Sequence, residues 1–393
     1  MQGAEDKSDL DELTSLRPTG SGRAAVQAER LWLRDFHPGW FGAVMGTAVI
    51  GIIASMNPGK FASWANTMRY ISVGATVLAA ALFVVIAIPY LSRWLIHSGA
   101  AWKDMRDPVA GPLHGTFPGA ILVLAAAVAN VGPREISVGA TSDIVAGLAV
   151  VGVPLALAIS LLFAYLLFTL DLPDVRLVNG GWFIPPVVTI IVPVVLLTLL
   201  GDVAHLTARL LLFAAYAFWG IGFLLFLLVM GLLHDRLVTQ ALPPAEMAPS
   251  LWIVLGPVGV GTSALIGLGH ATPEILGPSA AVMGIVSLLG ASILWGFGAW
   301  WLLVALMLLG RYIRRGGVPY GIGWWAFTFP LGALTLATVA LGRAWSLAAL
   351  ADISLAMFVL LVLLWLIVTV RTLDSLAKGT LWVRTLPASP PKT

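Results

Sequence analysis

The sequence predicts an all-α membrane protein in which ten transmembrane helices form five parallel helical hairpins. Three observations support this fold class. Hydrophobic residues make up 59% of the 393-residue chain and charged residues only 10%, whereas a soluble domain contains roughly a quarter charged residues. Ten apolar runs have about the 17 to 25 residues that cross the hydrocarbon core as a helix. A proline-containing signal opens every second run.

The apolar runs set the expected boundaries of the ten spans. Together they define one transmembrane domain, residues 36–375. An N-terminal tail (1–35) rich in Asp, Glu, Ser and Gly is predicted to be disordered, and residues 376–393 form a C-terminal tail. The spans are placed at 38–56, 70–96, 115–131, 142–170, 183–201, 207–233, 252–270, 281–310, 324–342 and 349–373.

The repeated signal is a proline that usually follows an aromatic residue or Leu and precedes Gly. Its copies centre on Pro38, Pro118, Pro185, Pro257 and Pro330, at intervals of 67 to 80 residues. Spacing this regular indicates an internally repeated fold. Repeats inserted in the same sense are expected to surround an axis along the membrane normal.

The odd-numbered spans hold most of the Gly and Pro, whereas the even-numbered spans are longer aliphatic runs. Helix-breaking residues free backbone carbonyls that hydrocarbon cannot satisfy. We therefore expect the odd helices in a quasi-fivefold arrangement around a central pore, with the even helices against lipid. The alternative is that these residues only permit close helix packing, as Gly42 and Gly46 would in a small-xxx-small contact. Recurrence at one depth in all five repeats favours the pore.

The distribution of basic residues predicts the orientation, because Lys and Arg in short loops resist translocation. If the N-terminus is inside, 17 of the 22 Lys and Arg residues lie in inner segments. Both termini should therefore be cytoplasmic, with the protein in the plasma or inner membrane. No basic patch predicts a nucleic-acid partner. The absence of cysteine excludes disulfides, thiolate metal sites and thiol catalysis.

Five stretches of the chain resemble the tellurite-resistance/dicarboxylate transporter family. The first helix begins FHPGWFGAVMGT at residues 36–47, which resembles the family's first-helix signature. Four more stretches match family positions in the same order: 107–118, 182–185, 242–257 and 324–332. The resemblance covers about residues 36–375. The family includes bacterial tellurite-resistance proteins, fungal malate permeases, sulfite efflux pumps and plant slow anion channels.

The resemblance implies a quasi-fivefold pore, often in a homotrimer, that conducts anions or transports organic acids or sulfite. In the channel members a phenylalanine on the ninth helix closes the pore, and Phe329 matches that position. The sequence of the first helix, with Trp40-Phe41 and Met45-Gly46-Thr47, is closer to the malate and sulfite branch of this family than to the plant channels. The favoured cargo is therefore C4-dicarboxylates such as malate, or sulfite- and tellurite-type oxyanions. A gated chloride or nitrate channel is the alternative.

Helix-breaking residues and hydroxyls on the odd helices form the expected substrate path. Pro330 lacks an N–H and is expected to bend its helix beside Phe329, although any Phe in a membrane helix can also be packed filler. Five converging helix N-termini supply partial positive charge. Hydroxyls can donate to an oxyanion or bond back to their own helix. The expected path residues are Pro38, Gly46, Thr47, Thr116, Pro118, Pro185, Thr189, Pro257, Ser263, Thr328, Pro330 and Thr335.

No Asp, Glu, Lys or Arg lies in the middle of a predicted span. Because intramembrane charges mark ion relays, this pattern favours a channel, a facilitator, or a transporter whose proton travels on the substrate. The six histidines fall at span ends or in loops, so no metal or cofactor is predicted. His37 and His114 lie close to the starts of pore helices and are candidate sensors of cytoplasmic pH.

A membrane-embedded enzyme is the remote alternative from another class. Intramembrane proteases need His-Glu-x-x-His, a Gly-x-Ser-Gly nucleophile or paired aspartates within spans, and the sequence contains none of these. We therefore predict a protein that is not an enzyme. Its expected partners are inorganic or small organic anions and the lipid bilayer.

Overall fold

The computed structural model describes residues 32–59, 62–169 and 174–379. Within these ranges the regular structure is helical throughout, without any strand, which confirms the predicted all-α class. Almost all of the predicted N-terminal tail, and the C-terminal tail from residue 380, lie outside the described residues.

Ten helices in the described part of the chain are long and apolar enough to cross a membrane, which confirms the predicted number. A further short helix, Ser98–Met105, precedes the third of them. We number the ten α1 (Phe41–Ser55), α2 (Ala65–Ile96), α3 (Thr116–Glu135), α4 (Val138–Phe168), α5 (Ile184–Leu197), α6 (His205–Thr239), α7 (Leu255–Leu276), α8 (Val282–Arg314), α9 (Phe329–Ala344) and α10 (Ala348–Ala377).

The even-numbered helices extend beyond the predicted spans. Helix α2 begins at Ala65 instead of 70, and α8 ends at Arg314 instead of 310. Hydropathy fades where a helix enters the polar headgroup region, but its backbone hydrogen bonds continue there. Arg69, in the extra turn of α2, forms an ion pair of 2.7 Å with Glu135 at the end of α3.

Each repeated proline marks the start of an inner helix. A short 3-10 segment precedes every odd-numbered helix, from Pro38–Trp40 before α1 to Ile322–Phe327 before α9. The prediction that Pro330 bends its helix is wrong. Pro330 is the second residue of α9, so it lies at the start of the helix and not within a longer one. Proline suits this position, since the first N–H groups of a helix have no intrahelical acceptor and its φ is already helical.

Burial confirms the predicted division into inner and outer helices. In the most apolar window of each odd-numbered span, 72 to 83% of the residues are buried, against 22 to 28% in the even-numbered spans. The outer helices expose large aliphatic and aromatic side chains such as Val150, Phe213 and Ile293. A surface of this kind is stable only against hydrocarbon.

The five inner helices form a closed ring of contacts. Each packs on the outer helix that follows it, and α1, α3, α5, α7 and α9 touch in that order, with α9 returning to α1. Glycine permits the closest approaches. A Cβ on Gly46 would lie 2.1 Å from Thr328 Oγ1, and one on Gly259 would lie 2.3 Å from the Ala333 carbonyl carbon. The packing role considered for Gly46 is therefore its role in this ring.

Tryptophans of three outer helices donate hydrogen bonds to the inner helix of the next repeat. Trp219 Nε1 donates to the Gly261 carbonyl at 3.1 Å, and Trp295 Nε1 donates to Thr338 Oγ1 at 2.9 Å. Trp365 does the same from α10 to α1. The sequence repeat therefore extends to the polar contacts that join one hairpin to the next.

Arginines near the ends of α2 and α6 join their hairpins to the segments that lead into them. Arg93 donates to the Arg34 carbonyl at 2.6 Å, and Arg236 donates to the Arg176 carbonyl at 3.3 Å. Arg93 is fully buried and forms an ion pair of 2.6 Å with Asp104 on the short helix. These bonds hold the segments that lead into the inner helices.

Candidate functional site

A cavity of about 270 Å³ lies at the N-terminal end of the inner ring, and we call it the vestibule. Every repeat contributes to its wall through the 3-10 segment or the first turns of its inner helix. One residue from each repeat illustrates this: His37, Thr116, Ile184, Ile253 and Trp325. All five inner helices begin around this space, where their dipoles favour negative charge.

A second cavity of about 50 Å³ lies further along the ring, and we call it the inner chamber. Each inner helix supplies two lining residues three positions apart, so the chamber follows the ring axis. The wall is apolar except for Ser263, whose hydroxyl donates to the Gly259 carbonyl at 3.1 Å. The lining pairs are Val49 and Ile52, Val123 and Ala126, Ile191 and Val194, Val260 and Ser263, and Ala333 and Leu336.

Among the described residues, Phe329 is the one that belongs to both cavity walls. Its side chain is 7% exposed, and its ring edge faces α7, where a Cβ on Gly256 would lie 3.8 Å from Cε1. Because Phe329 begins α9, the helix start fixes the ring where the vestibule and the inner chamber meet.

The six hydroxyls expected on the path all contact carbonyls of their own helix or entry segment. Thr116 Oγ1 lies 2.7 Å from the carbonyls of Leu113 and Pro38. Of the six, only Thr116 and Ser263 are on a cavity wall. The other four donate to a carbonyl of their own helix or entry segment: Thr47 to Ala43, Thr189 to Pro186, Thr328 to Trp325 and Thr335 to Leu331. Bonding back to the helix is the usual arrangement for buried Ser and Thr.

The predicted helix-breaking residues are divided in the same way. Pro330 is on the vestibule wall beside Phe329. The remaining ones are buried within the ring and are on neither wall: Pro38, Gly46, Pro118, Pro185 and Pro257. They act on the path indirectly, by starting the helices and allowing them to approach.

The two candidate pH-sensing histidines have different surroundings. His37 is on the vestibule wall and its Nδ1 accepts a hydrogen bond of 3.0 Å from the Gly39 amide, which caps the 3-10 segment before α1. His114 is fully buried behind the wall, with Nδ1 2.9 Å from the Tyr90 hydroxyl. Only His37 can meet a solute in the vestibule.

Several polar wall residues lie outside the sequence prediction. Asn179 donates to the Leu177 carbonyl and accepts from the Gly181 amide, and Ser250 accepts from the Gly180 amide. Glu246 is exposed on the wall. All three are in segments that lead into inner helices, so the repeat itself was the signal that marked them. Trp325 lies within the repeated stretch at residues 323–332.

Among the described residues that line the vestibule there is no Lys or Arg. Within the described residues, no group of three or more His, Cys, Asp or Glu side chains has an arrangement that would hold a metal ion. Any attraction for a negatively charged solute therefore comes from helix N-termini and hydrogen-bond donors.

Comparison with known proteins agrees with this geometry. The chain is 28% identical over 347 residues to an uncharacterized transporter of Methanocaldococcus jannaschii, covering 88% of this chain and 95% of that protein. It is 27% identical over 347 residues to the sulfite efflux pump SSU1 of Trichophyton rubrum, covering 83% of this chain and 89% of the pump. The malic acid transport protein of Schizosaccharomyces pombe is 27% identical over 147 residues, 36% of this chain and 33% of that protein.

A family model described as the voltage-dependent anion channel matches residues 35–373, almost the whole helical domain. The resemblance found in the sequence is therefore confirmed, as is the prediction that the protein is not an enzyme. The chain belongs to the voltage-dependent anion channel family, a family of membrane channels and transporters for anions.

Proposed function

We propose that the protein passes small anions along the axis of its five inner helices and that Phe329 closes this path. The supporting observation is that Phe329 alone lines both the vestibule and the inner chamber. A ring at that junction separates a cavity of about 270 Å³ from one of about 50 Å³. Movement of this side chain would join the two.

The position of the vestibule supports a preference for anions. All five inner helices begin around it, and each N-terminus contributes a partial positive charge of roughly half a unit. The helix dipoles attract an anion without a fixed cation. A site built in this way attracts an anion but does not hold it as tightly as an ion pair would, which suits passage.

We propose oxyanions of the sulfite type as the first cargo and C4-dicarboxylates such as malate as the second. The relative named as a sulfite efflux pump matches over most of both chains, whereas the malic acid transport protein matches over about a third. A channel for chloride or nitrate is the second candidate function. It is favoured by the absence of Asp, Glu, Lys and Arg from the middle of the described spans, because proton coupling usually needs such a group.

We also propose that the protein lies in the plasma or inner membrane and that the vestibule opens on the cytoplasmic side. The excess of Lys and Arg in the segments on that side supports this orientation. A homotrimer is proposed on the family resemblance alone. Protease accessibility of the N-terminus in sealed right-side-out vesicles tests the orientation, since a cytoplasmic N-terminus is protected.

The experiment that tests the function is anion flux through the purified full chain in liposomes. Currents and tracer uptake are recorded for sulfite, malate, chloride and nitrate, with and without a pH gradient. We expect sulfite to cross the liposome membrane while the membrane remains impermeable to sodium. Current independent of the pH gradient indicates a channel, and saturable uptake driven by the gradient indicates a carrier. Passage of cations alone would overturn the proposal.

A further inference from the structure

One hydrogen-bond donor on the vestibule wall has no partner. Trp325 is 5% exposed, and its indole Nε1 is buried without an acceptor among the described residues. Its ring is nevertheless part of the vestibule wall. Of the buried side-chain nitrogen and oxygen atoms that lack a partner in the described chain, this is the one on a cavity-lining residue.

The neighbouring polar groups of the wall differ from Trp325 because the protein itself supplies their partners. Thr116 contacts two carbonyls, and the Asn179 amide both donates and accepts. The adjacent Trp324 donates its indole N–H to the Pro319 carbonyl at 2.8 Å. The orphan donor is thus specific to position 325 and is not a general property of tryptophans in this segment.

The Trp325 side chain packs beside two glycines of α1. A Cβ on Gly42 would lie 3.0 Å from Trp325 Cβ, and a Cβ on Gly46 would lie 3.6 Å from Cε3. These two glycines of α1 therefore form the groove that receives the side chain. Leaving a buried N–H without an acceptor is costly, and phenylalanine would fill the same groove without that cost.

We propose that the Trp325 indole N–H is the hydrogen-bond donor of a binding site for one small monovalent oxyanion in the vestibule. This inference rests on the proposed function and names a residue that binds its cargo. The nitrogen is covered in the present arrangement of the wall, so the ring turns toward the cavity when the anion binds. An oxyanion oxygen is a strong acceptor for such a donor.

The charge of the bound anion follows from the other ionisable groups of the wall. Among the described wall residues these are the carboxylate side chain of Glu246 and the imidazole of His37. The described part of the wall has a carboxylate and no Lys or Arg, so a dianion that enters meets about twice the repulsion that a monoanion meets. The site therefore selects monovalent oxyanions, such as nitrate or hydrogen sulfite, over sulfate.

The site also lies next to the proposed gate. Trp325 is four residues before Phe329, and its carbonyl accepts hydrogen bonds from both the amide and the hydroxyl of Thr328. A rotation of the Trp325 side chain therefore occurs beside the first residue of α9. Binding and opening are expected to be coupled through this short segment.

The test measures nitrate binding to the full chain in detergent from the thermal unfolding midpoint across a nitrate titration. Trp325→Phe removes the N–H, and Trp324→Phe is the matched control because its N–H is already bonded within the protein. Comparison of variants in the same salt cancels general salt effects. We expect nitrate to bind wild type and Trp324→Phe alike, and Trp325→Phe roughly tenfold more weakly or worse. Titration with sulfate should shift the unfolding midpoints of wild type and both variants equally.

Replacing Trp325 with 3-benzothienylalanine keeps the ring shape without the N–H and serves if the Phe variant does not fold. Nitrate binding that is equal in wild type and this protein would overturn the inference. A KM for hydrogen sulfite flux that is the same in wild type and in the Trp325 variant would also overturn the inference, while leaving the proposed function in place. Wild type that binds nitrate through Trp325 yet carries no anion would support the site and overturn the proposed function.

Discussion

The indole of Trp365 donates a 2.9 Å hydrogen bond to the hydroxyl of Thr47, a residue 318 positions earlier in the chain. The same hydroxyl donates to the Ala43 carbonyl at 2.7 Å, so both of its hydrogen-bonding roles are used. This contact joins α10 to α1, and so the last hairpin to the first. A threonine expected on the substrate path is therefore a residue that closes the structure.

Removing this bond should weaken the whole helical domain. In Trp365→Phe, the Thr47 hydroxyl loses a donor in an apolar setting, which costs about 1 kcal/mol of stability. The measurement is the midpoint of thermal unfolding in detergent. Trp300→Phe is the control, because Trp300 is 55% exposed on the outer surface of α8. Equal midpoints for the two variants would contradict the role assigned to Trp365.

Phe329→Ala should increase anion flux. Loss of the ring connects the vestibule with the inner chamber, and a barrier lowered by about 1.4 kcal/mol corresponds to roughly tenfold faster passage. Sulfite efflux from liposomes measures the effect. Phe213→Ala, on the lipid-facing surface of α6, should leave the rate unchanged. Unaltered flux through a folded Phe329→Ala protein would count against the gate.

Gly259→Ala should destabilise the inner ring. Its Cβ would lie 2.3 Å from the Ala333 carbonyl carbon, so α7 and α9 must separate, at a cost of about 1 to 3 kcal/mol or more. Gly220→Ala is the matched control, since no atom lies within 4 Å of a Cβ there. Alanine favours the helix by roughly 0.5 to 1 kcal/mol over glycine. The two substitutions should shift the unfolding temperature in opposite directions.

Asp104→Ala should cost far more than the loss of an exposed ion pair. The Arg93 guanidinium is fully buried, and without its partner it keeps an uncompensated charge, which costs roughly 3 to 5 kcal/mol. Asp374→Ala breaks the exposed pair with Lys378 and serves as the control, with an effect below about 1 kcal/mol. Comparable losses of folded protein in both variants would show that Asp104 contributes little.

Glu246→Gln should favour divalent cargo. The substitution removes the carboxylate from the vestibule wall, so the repulsion that a dianion meets on entry falls. Malate or sulfate uptake at low ionic strength should rise several-fold relative to nitrate uptake, and the difference should shrink as salt screens the charge. A ratio that does not respond to the substitution would place the selective barrier elsewhere.

The sequence predicted the layered arrangement well because two strong signals agree. Hydropathy locates ten spans, and the repeated prolines identify which of them lie inside. The same signals do not orient side chains on the inner helices. These helices are buried on all sides, so no polar face distinguishes Ser263, which reaches the inner chamber, from Thr335, which does not.

The polar part of the vestibule wall was harder to predict for a related reason. Glu246 and Trp325 lie in 3-10 segments, which lack the 3.6-residue period from which helix faces are inferred. Phe329 was found through the family resemblance and not through its local pattern. Its place at the meeting point of two cavities depends on how all five repeats pack together.

The return of the last hairpin to the first has a consequence for biogenesis. During synthesis, α1 enters the bilayer with one flank facing lipid, and its permanent neighbours on that flank emerge some 290 residues later. Contacts this distant in sequence are slow to form. Until translation ends, one flank of α1 therefore lacks its final neighbours. A quality-control protease or a lipid molecule can reach α1 on that flank.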